Sequence, residues 1–151
     1  MTTKSIAILG ATSALGQAVA RELLQQAPDG QAPLNLVLVA RNESRLSEVA
    51  DDLKARGAQV TCIVADLDDM GGHDALMHSL SDVCDYWFFY GSLPDQEQAE
   101  QSWDSTEQAL KTNLMSPISL LTRAANALEG AGRGSLVIVT SVAGDRGRKS
   151  N

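Results

Sequence analysis

Five short stretches of the chain are apolar almost throughout: residues 5–9, 34–40 (LNLVLVA), 60–65 (VTCIVA), 86–90 (YWFFY) and 135–140 (SLVIVT). A strand with one wet face alternates apolar and polar positions. Unbroken apolar runs of this length instead predict strands buried on both faces, as in a parallel sheet. The segments between them carry a helical period. Leu15, Val19 and Leu23 recur every fourth residue, with Ala18 on the same face. Leu46, Val49, Ala50 and Leu53 follow the i, i+3, i+4, i+7 pattern, and Gly57 is placed to end that helix. Leu76, Leu80 and Val83 mark a third helix, and the long stretch from Gln96 to Leu128 a fourth. A turn over residues 27–33 (APDGQAP) closes the first helix.

Strands and helices in alternation predict an α/β fold, a doubly wound parallel sheet. With right-handed crossovers the expected topology is Rossmann-like, strand order 3-2-1-4-5. The 151 residues suit one domain. The fifth strand would be an apolar edge in such a sheet, which natural proteins avoid. The expectation is therefore that the C-terminal part of the fold is missing, and that residues 1–151 are the N-terminal part of a longer domain.

Two strand ends carry candidate chemistry. After the first strand comes GATSALG (10–16) and then a helix. Gly10 permits a sharp turn and Gly16 close packing of helix on strand. The helix N-terminus offers N–H groups and partial positive charge to a phosphate, and Thr12 and Ser13 add hydroxyls. The spacing is not G-x-G-x-x-G, since Ala14 takes the middle position, and a plain strand-to-helix turn also explains it. The second strand ends in Ala40, Arg41 and Asn42, with Arg45 one turn on. An NAD-binding domain usually has an acid there for the ribose 2′-hydroxyl. A guanidinium instead suits a 2′-phosphate, which predicts NADP; a solvated loop arginine is the plainer account. Asp66, just after the third strand, either accepts from an adenine amino group or caps the next turn.

Composition narrows the partners. Nineteen acidic residues against twelve basic give a net charge of −7. That argues against nucleic acid and against an anionic membrane surface. No apolar run approaches the roughly 18 residues of a membrane span, and the N-terminus lacks the pattern of a signal peptide. Two cysteines, Cys62 and Cys84, read as sitting in apolar surroundings, make no disulfide framework and suit a reduced, cytoplasmic protein. Five of the six aromatic residues lie together at 86–90, a run that reads first as buried strand packing and second as a cofactor platform. No cluster with metal-ligand spacing stands out.

The order and intervals of GATSALG (10–16), VARN (39–42), VADLDD (64–69) and GSLVIVTSVAG (134–144) resemble the short-chain dehydrogenase/reductase family, over residues 4–151. The resemblance implies an NADP-dependent oxidoreductase acting on a small carbonyl or alcohol. It implies cofactor contacts from Gly10, Thr12, Ser13, Ala14, Leu15 and Gly16, from Arg41, Asn42 and Arg45, from Asp66 and Leu67, and from Gly91. It also implies two catalytic residues: Asn113 in KTNLMSPISLLT (111–122) and Ser141 in VTSVAG (139–144), with Thr140 where the family often has another serine. Local chemistry supports Asn113 separately. Pro117 lies four residues on and has no N–H, which leaves the Asn113 carbonyl without its helical partner and available to a water; a simple helix kink is the alternative. The family's dimers imply a homodimer or homotetramer built through the stretch from Gln96 to Leu128.

Two departures stand against the pattern. Phe89-Tyr90-Gly91 replaces the family's Asn-Ala-Gly, so the asparagine that braces the strand is absent. The family's Tyr-x-x-x-Lys would fall past Asn151, and it occurs nowhere earlier: four positions after Tyr86 stands Tyr90, and four after Tyr90 stands Pro94. The 151-residue chain is thus expected to be inactive alone. A non-catalytic NADP-binding or sensing module is the other reading.

Overall fold

A computed structural model describes residues 5–27 and 32–146. Five parallel strands form one sheet in the order β3-β2-β1-β4-β5. They are β1 (Ser5–Leu9), β2 (Asn35–Ala40), β3 (Gln59–Val64), β4 (Asp85–Phe88) and β5 (Ser135–Ile138). The expected doubly wound order is the observed one.

Helices cover both faces, and the alternation of β1 and β2 explains how. Ile6, Ile8, Leu36 and Leu38 point to one side, where they meet Leu46, Val49 and Leu53 of α2 (Glu43–Ala55) and Ala20 of α1 (Ala14–Gln25). Ala7, Leu9, Val37 and Val39 point to the other. There they meet Leu76 of α3 (His73–Ser79), Leu80, and Leu120 and Ala124 of α6 (Ser116–Ala131). Each fully buried Ile or Leu contributes about 1.5–3 kcal/mol relative to exposure, so the central strands anchor the fold.

The structure corrects several expectations. The stretch from Gln96 to Leu128 is not one helix but α4 (Gln96–Gln101), α5 (Trp103–Leu110), a π-helical turn over Lys111–Met115, and α6. Ser102 breaks the first junction: its backbone is extended, and its Oγ caps α5 by accepting the Ser105 N–H. At the second junction the Ser116 N–H bonds the carbonyl of Lys111, five residues back. Pro117 then offers no N–H, and the helix changes register there.

β3 and β5 are not buried on both faces, because they end the sheet among the described residues. Cys62 on β3 is accordingly exposed rather than enclosed. The apolar face of α1 also sits one position further on than the period predicts. Gly16 and Ala20 are buried, whereas Leu15 is 49% exposed. The strand expected over residues 86–90 ends at Phe88, and the expected third helix ends at Ser79, with Leu80 buried just after it. Most of the predicted 27–33 turn lies outside the described residues, as does the end of the chain past Arg146. Among the described residues no helix is long and apolar enough to cross a membrane, and none of their His, Cys, Asp and Glu side chains form a metal-binding group.

Candidate functional site

All five strands are parallel, so their C-terminal ends share one edge of the sheet. The chain leaves β1 toward β2 and β3 on one side, and β4 and β5 lie on the other. Ligands of open α/β sheets bind in the crevice at such a switch point. A hollow of about 550 Å³ lies there, within the size range of small-molecule sites.

Its first wall is the turn after β1. The N–H groups of Gly10 and Ala11 both bond the carbonyl of Val39, at 2.9 and 3.1 Å, and tie the turn to the end of β2. The Ser13 N–H closes on the Gly10 carbonyl at 2.9 Å. Gly10 has φ +84°, and a Cβ there would lie 2.7 Å from the Tyr90 Cβ. The turn therefore needs glycine for conformation and for room. Ser13 caps α1 through Oγ, which accepts the Gly16 N–H at 3.0 Å. The remaining first-turn N–H groups of α1 have no partner within the helix.

Arg41 and Arg45 form a cationic end of the hollow. Arg45 is oriented by the start of α2, where the Asn42 Oδ1 accepts its backbone N–H at 2.9 Å. Its guanidinium reaches back to the Thr12 carbonyl at 3.5 Å. Asp66, Leu67 and Asp68, after the neighbouring β3, form an acidic side of the hollow. Asp66 uses Oδ1 to accept the Asp68 N–H at 3.0 Å, so the capping role expected for it is real. Asp66 also lines the hollow, which keeps the other role open. Asp68 Oδ2 accepts from Thr112 Oγ1 at 2.6 Å and Gln108 Nε2 at 3.0 Å, which ties the loop after β3 to the helices beyond β4.

The residues after β4 complete the floor: Phe89, Tyr90, Gly91 and Ser92. Burial pushes the Tyr90 phenol up to about 12, against the opposing effect of its hydrogen bond to Ser116, with the nearby Asp68 raising it further. Asn113 stands in the π-helical turn. Its Oδ1 accepts the Ser92 N–H at 2.8 Å and its Nδ2 donates to the Ser92 carbonyl at 2.9 Å. A Cβ at Gly91 would lie 3.1 Å from that Oδ1, so the loop and Asn113 are closely fitted. Ser141 is exposed just beyond β5, at the same edge of the sheet, and its carbonyl accepts the Gly144 N–H at 3.0 Å.

Of the sequence-predicted residues, Gly10, Thr12, Ser13, Ala14, Arg41, Arg45, Asp66, Leu67 and Gly91 line one hollow. Leu15, Gly16 and Asn42 do not: Gly16 packs beneath the turn against Phe89 and Ser13, and Asn42 caps α2. Asn113 and Ser141 also lie outside its lining, Asn113 being joined to it through Ser92. Sequence reasoning missed Asp68, Ser92, Gln108 and Thr112, and it favoured strand packing over a cofactor platform for Phe89 and Tyr90, which both line the hollow. A signal existed for Tyr90 and Ser92, which flank Gly91.

The sequence profile of the short chain dehydrogenase family matches residues 4–151. The chain belongs to this family. Its members are oxidoreductases that use nicotinamide dinucleotides. An uncharacterized oxidoreductase of Mycobacterium tuberculosis is 36% identical over 97% of the chain. Another, of Streptomyces coelicolor, is 30% identical over 98%. The chain spans 58% of the length of each of these relatives. Among solved structures, an actinorhodin polyketide ketoreductase with NADPH superposes with a TM-score of 0.84 at 21% identity, covering 98% of this chain and 57% of that one. A short chain dehydrogenase/reductase family protein gives 0.81 at 24% identity, covering 98% and 60%. At these identities the structural likeness speaks for the fold.

Proposed function

We propose that this family member forms the NADP(H)-binding part of an oxidoreductase that passes hydride between NADP(H) and a carbonyl or alcohol. The observation that carries the reading is the composition of the cationic end. Arg41 directly follows β2, where Ala40 replaces the acid that favours an unphosphorylated ribose, and Arg45 stands in the first turn of α2. The residues fit the dinucleotide: the Gly10 turn leaves no room for a side chain of its own, and the N-terminus of α1 opens beside it toward a diphosphate.

In this reading Ala14, Leu15 and the hydroxyls of Thr12 and Ser13 serve the diphosphate, and Arg41 and Arg45 the 2′-phosphate. Asp66 takes the adenine amino group on its second oxygen, and Leu67 and Gly91 frame the adenosine and the nicotinamide side. The bound nicotinamide supplies or accepts hydride. Ser141 hydrogen-bonds the substrate oxygen. Asn113 fixes the loop at Ser92 by its side chain and holds a relay water by its carbonyl. Leu110, Leu114 and Ile118, at fourfold spacing and each 43–54% exposed, support association with a second copy through this segment. Both cysteines are free, which suits a reducing cytoplasm.

The test is a fluorescence titration of the protein with NADPH and NADH. NADPH should bind more tightly, and Arg41→Ala should narrow the gap by about tenfold or more, the loss of a charged hydrogen bond. Equal affinity for the two nucleotides would sink the NADP assignment. No binding of either would sink the reading as a whole.

A further inference from the structure

We propose that His73 and Ser116 are positioning residues that hold the Asp66 carboxylate in place by clamping the Leu67–Asp68 peptide between two hydrogen-bonded ends. The inference rests on the nucleotide reading above and names the groups that prepare its adenine contact.

The carbonyl end of this peptide is saturated. His73, 1% exposed, brings Nε2 to 2.9 Å from the Leu67 oxygen, and the Ser116 hydroxyl, fully buried, donates to the same oxygen. A carbonyl has two lone pairs, and both are taken. The N–H end is held as well, since Asp68 N–H donates to Asp66 Oδ1 at 3.0 Å. The peptide is trans, so its C=O and N–H point in opposite directions. Fixing the carbonyl toward His73 and Ser116 therefore aims the N–H at Asp66. One carboxylate oxygen is thereby occupied and the other is left in a set direction beside the hollow.

The donors are themselves held in one sense. Because the carbonyl can only accept, His73 donates from Nε2, and Nδ1 of a neutral imidazole then accepts from the Ser119 hydroxyl at 2.9 Å. The Ser119 oxygen in turn takes an N–H of Arg123 at 2.7 Å, and Arg123 is paired with Asp74 at 2.6 Å. Ser116 spends its proton on Leu67, so the Tyr90 hydroxyl, 2.8 Å away, donates to Ser116. Two chains of donors, from α6 and from the end of β4, thus meet on one carbonyl.

The test compares affinity for NADPH with that for reduced nicotinamide hypoxanthine dinucleotide phosphate, which carries an oxo group in place of the adenine amino group. Wild-type protein should prefer NADPH by about tenfold or more, the worth of a hydrogen bond to a carboxylate. His73→Phe and Ser116→Ala should each shrink that preference several-fold, and His73→Gln, whose amide still donates, should restore part of it. Circular dichroism checks folding, and the smaller truncation at Ser116 keeps the test decisive where His73→Phe does not fold. A merely structural role would weaken both nucleotides alike. An unchanged preference in a folded Ser116→Ala protein overturns the inference. A wild-type protein that binds both nucleotides equally overturns the Asp66 contact and the inference with it, but leaves nucleotide binding standing. Binding of neither overturns the functional reading itself.

Discussion

The tightest local fit in the site is Gly10 under the end of β4, and substituting it gives a quantity that can be worked from geometry. In Gly10→Ala the new Cβ would lie 2.7 Å from the Tyr90 Cβ, 2.8 Å from the Tyr90 nitrogen and 2.9 Å from the Phe89 carbonyl carbon. Two of these are backbone atoms of the segment that follows β4, so no rotamer change relieves them. Overpacking of this kind costs about 1–3 kcal/mol. The left-handed φ of +84° adds about 1–2 kcal/mol for any L side chain. The sum is about 2–5 kcal/mol, a large part of the 5–15 kcal/mol that holds a typical domain. Gly57 supplies the control. Its φ is +95°, yet an added Cβ meets nothing within 4 Å, so Gly57→Ala carries only the conformational cost, about 1–2 kcal/mol. Urea unfolding of both variants separates the two effects. With a slope of about 2 kcal/mol per molar, Gly10→Ala should lower the midpoint by about 1–2.5 M and Gly57→Ala by about 0.5–1 M. Gly10→Ala should also bind NADPH more weakly, because relieving the clash moves the turn that faces the diphosphate. Equal midpoints for the two variants would refute the close approach of Gly10 to β4. A Gly10→Ala protein as stable as wild type would refute the strain argument too.

Alkaline titration followed at 295 nm reads the two tyrosines. Burial raises both Tyr86 and Tyr90, Tyr90 to about 12, so phenolate should form above the usual range near 10. Both groups bind their protons more tightly when folded, so their contribution to stability is complete below pH 10 and is lost as pH rises toward 12. Tyr90→Phe should remove the later part of the absorbance change, and half the signal appearing near pH 10 would contradict the burial of one ring. At the acid end, hydrogen bonds from Arg21 and then Arg56 hold Asp52 below its ordinary 3.8. Its contribution is present above that value and fades as pH falls below it, so Asp52→Asn should flatten the acid limb of a urea-midpoint profile while leaving the alkaline limb unchanged.

The sheet was legible because its information is local. Each strand is a compact apolar run, and strict alternation with helices leaves few topologies. The division of the stretch from Gln96 to Leu128 was not, because the fourfold apolar spacing of Leu110, Leu114 and Ile118 runs straight through the second break. What breaks it is backbone hydrogen bonding: a serine that caps at 102 and a proline that withholds an N–H at 117. Period reports which face is buried; it does not report where the backbone ladder changes register.

The same distinction separates the two sides of the hollow. Gly10, Thr12, Ser13, Ala14, Arg41, Arg45, Asp66 and Gly91 were readable because they lie in or just past the loops that follow strands, and parallel strands deliver their C-terminal loops to one edge. Gln108 and Thr112 reach Asp68 from 40 and 44 positions away, through a helix pair whose placement depends on tertiary packing. Tyr90 lies between these cases. Its run, YWFFY, reads as core, and Tyr86 and Phe88 are core on one face of the sheet. β4 nevertheless ends at Phe88; the Phe89 N–H still bonds the Leu9 carbonyl at 2.8 Å, and Phe89 and Tyr90 line the hollow while remaining largely enclosed. The aromatic run is thus both strand and wall, and the change from one to the other falls where Gly10 comes close enough to exclude any side chain of its own.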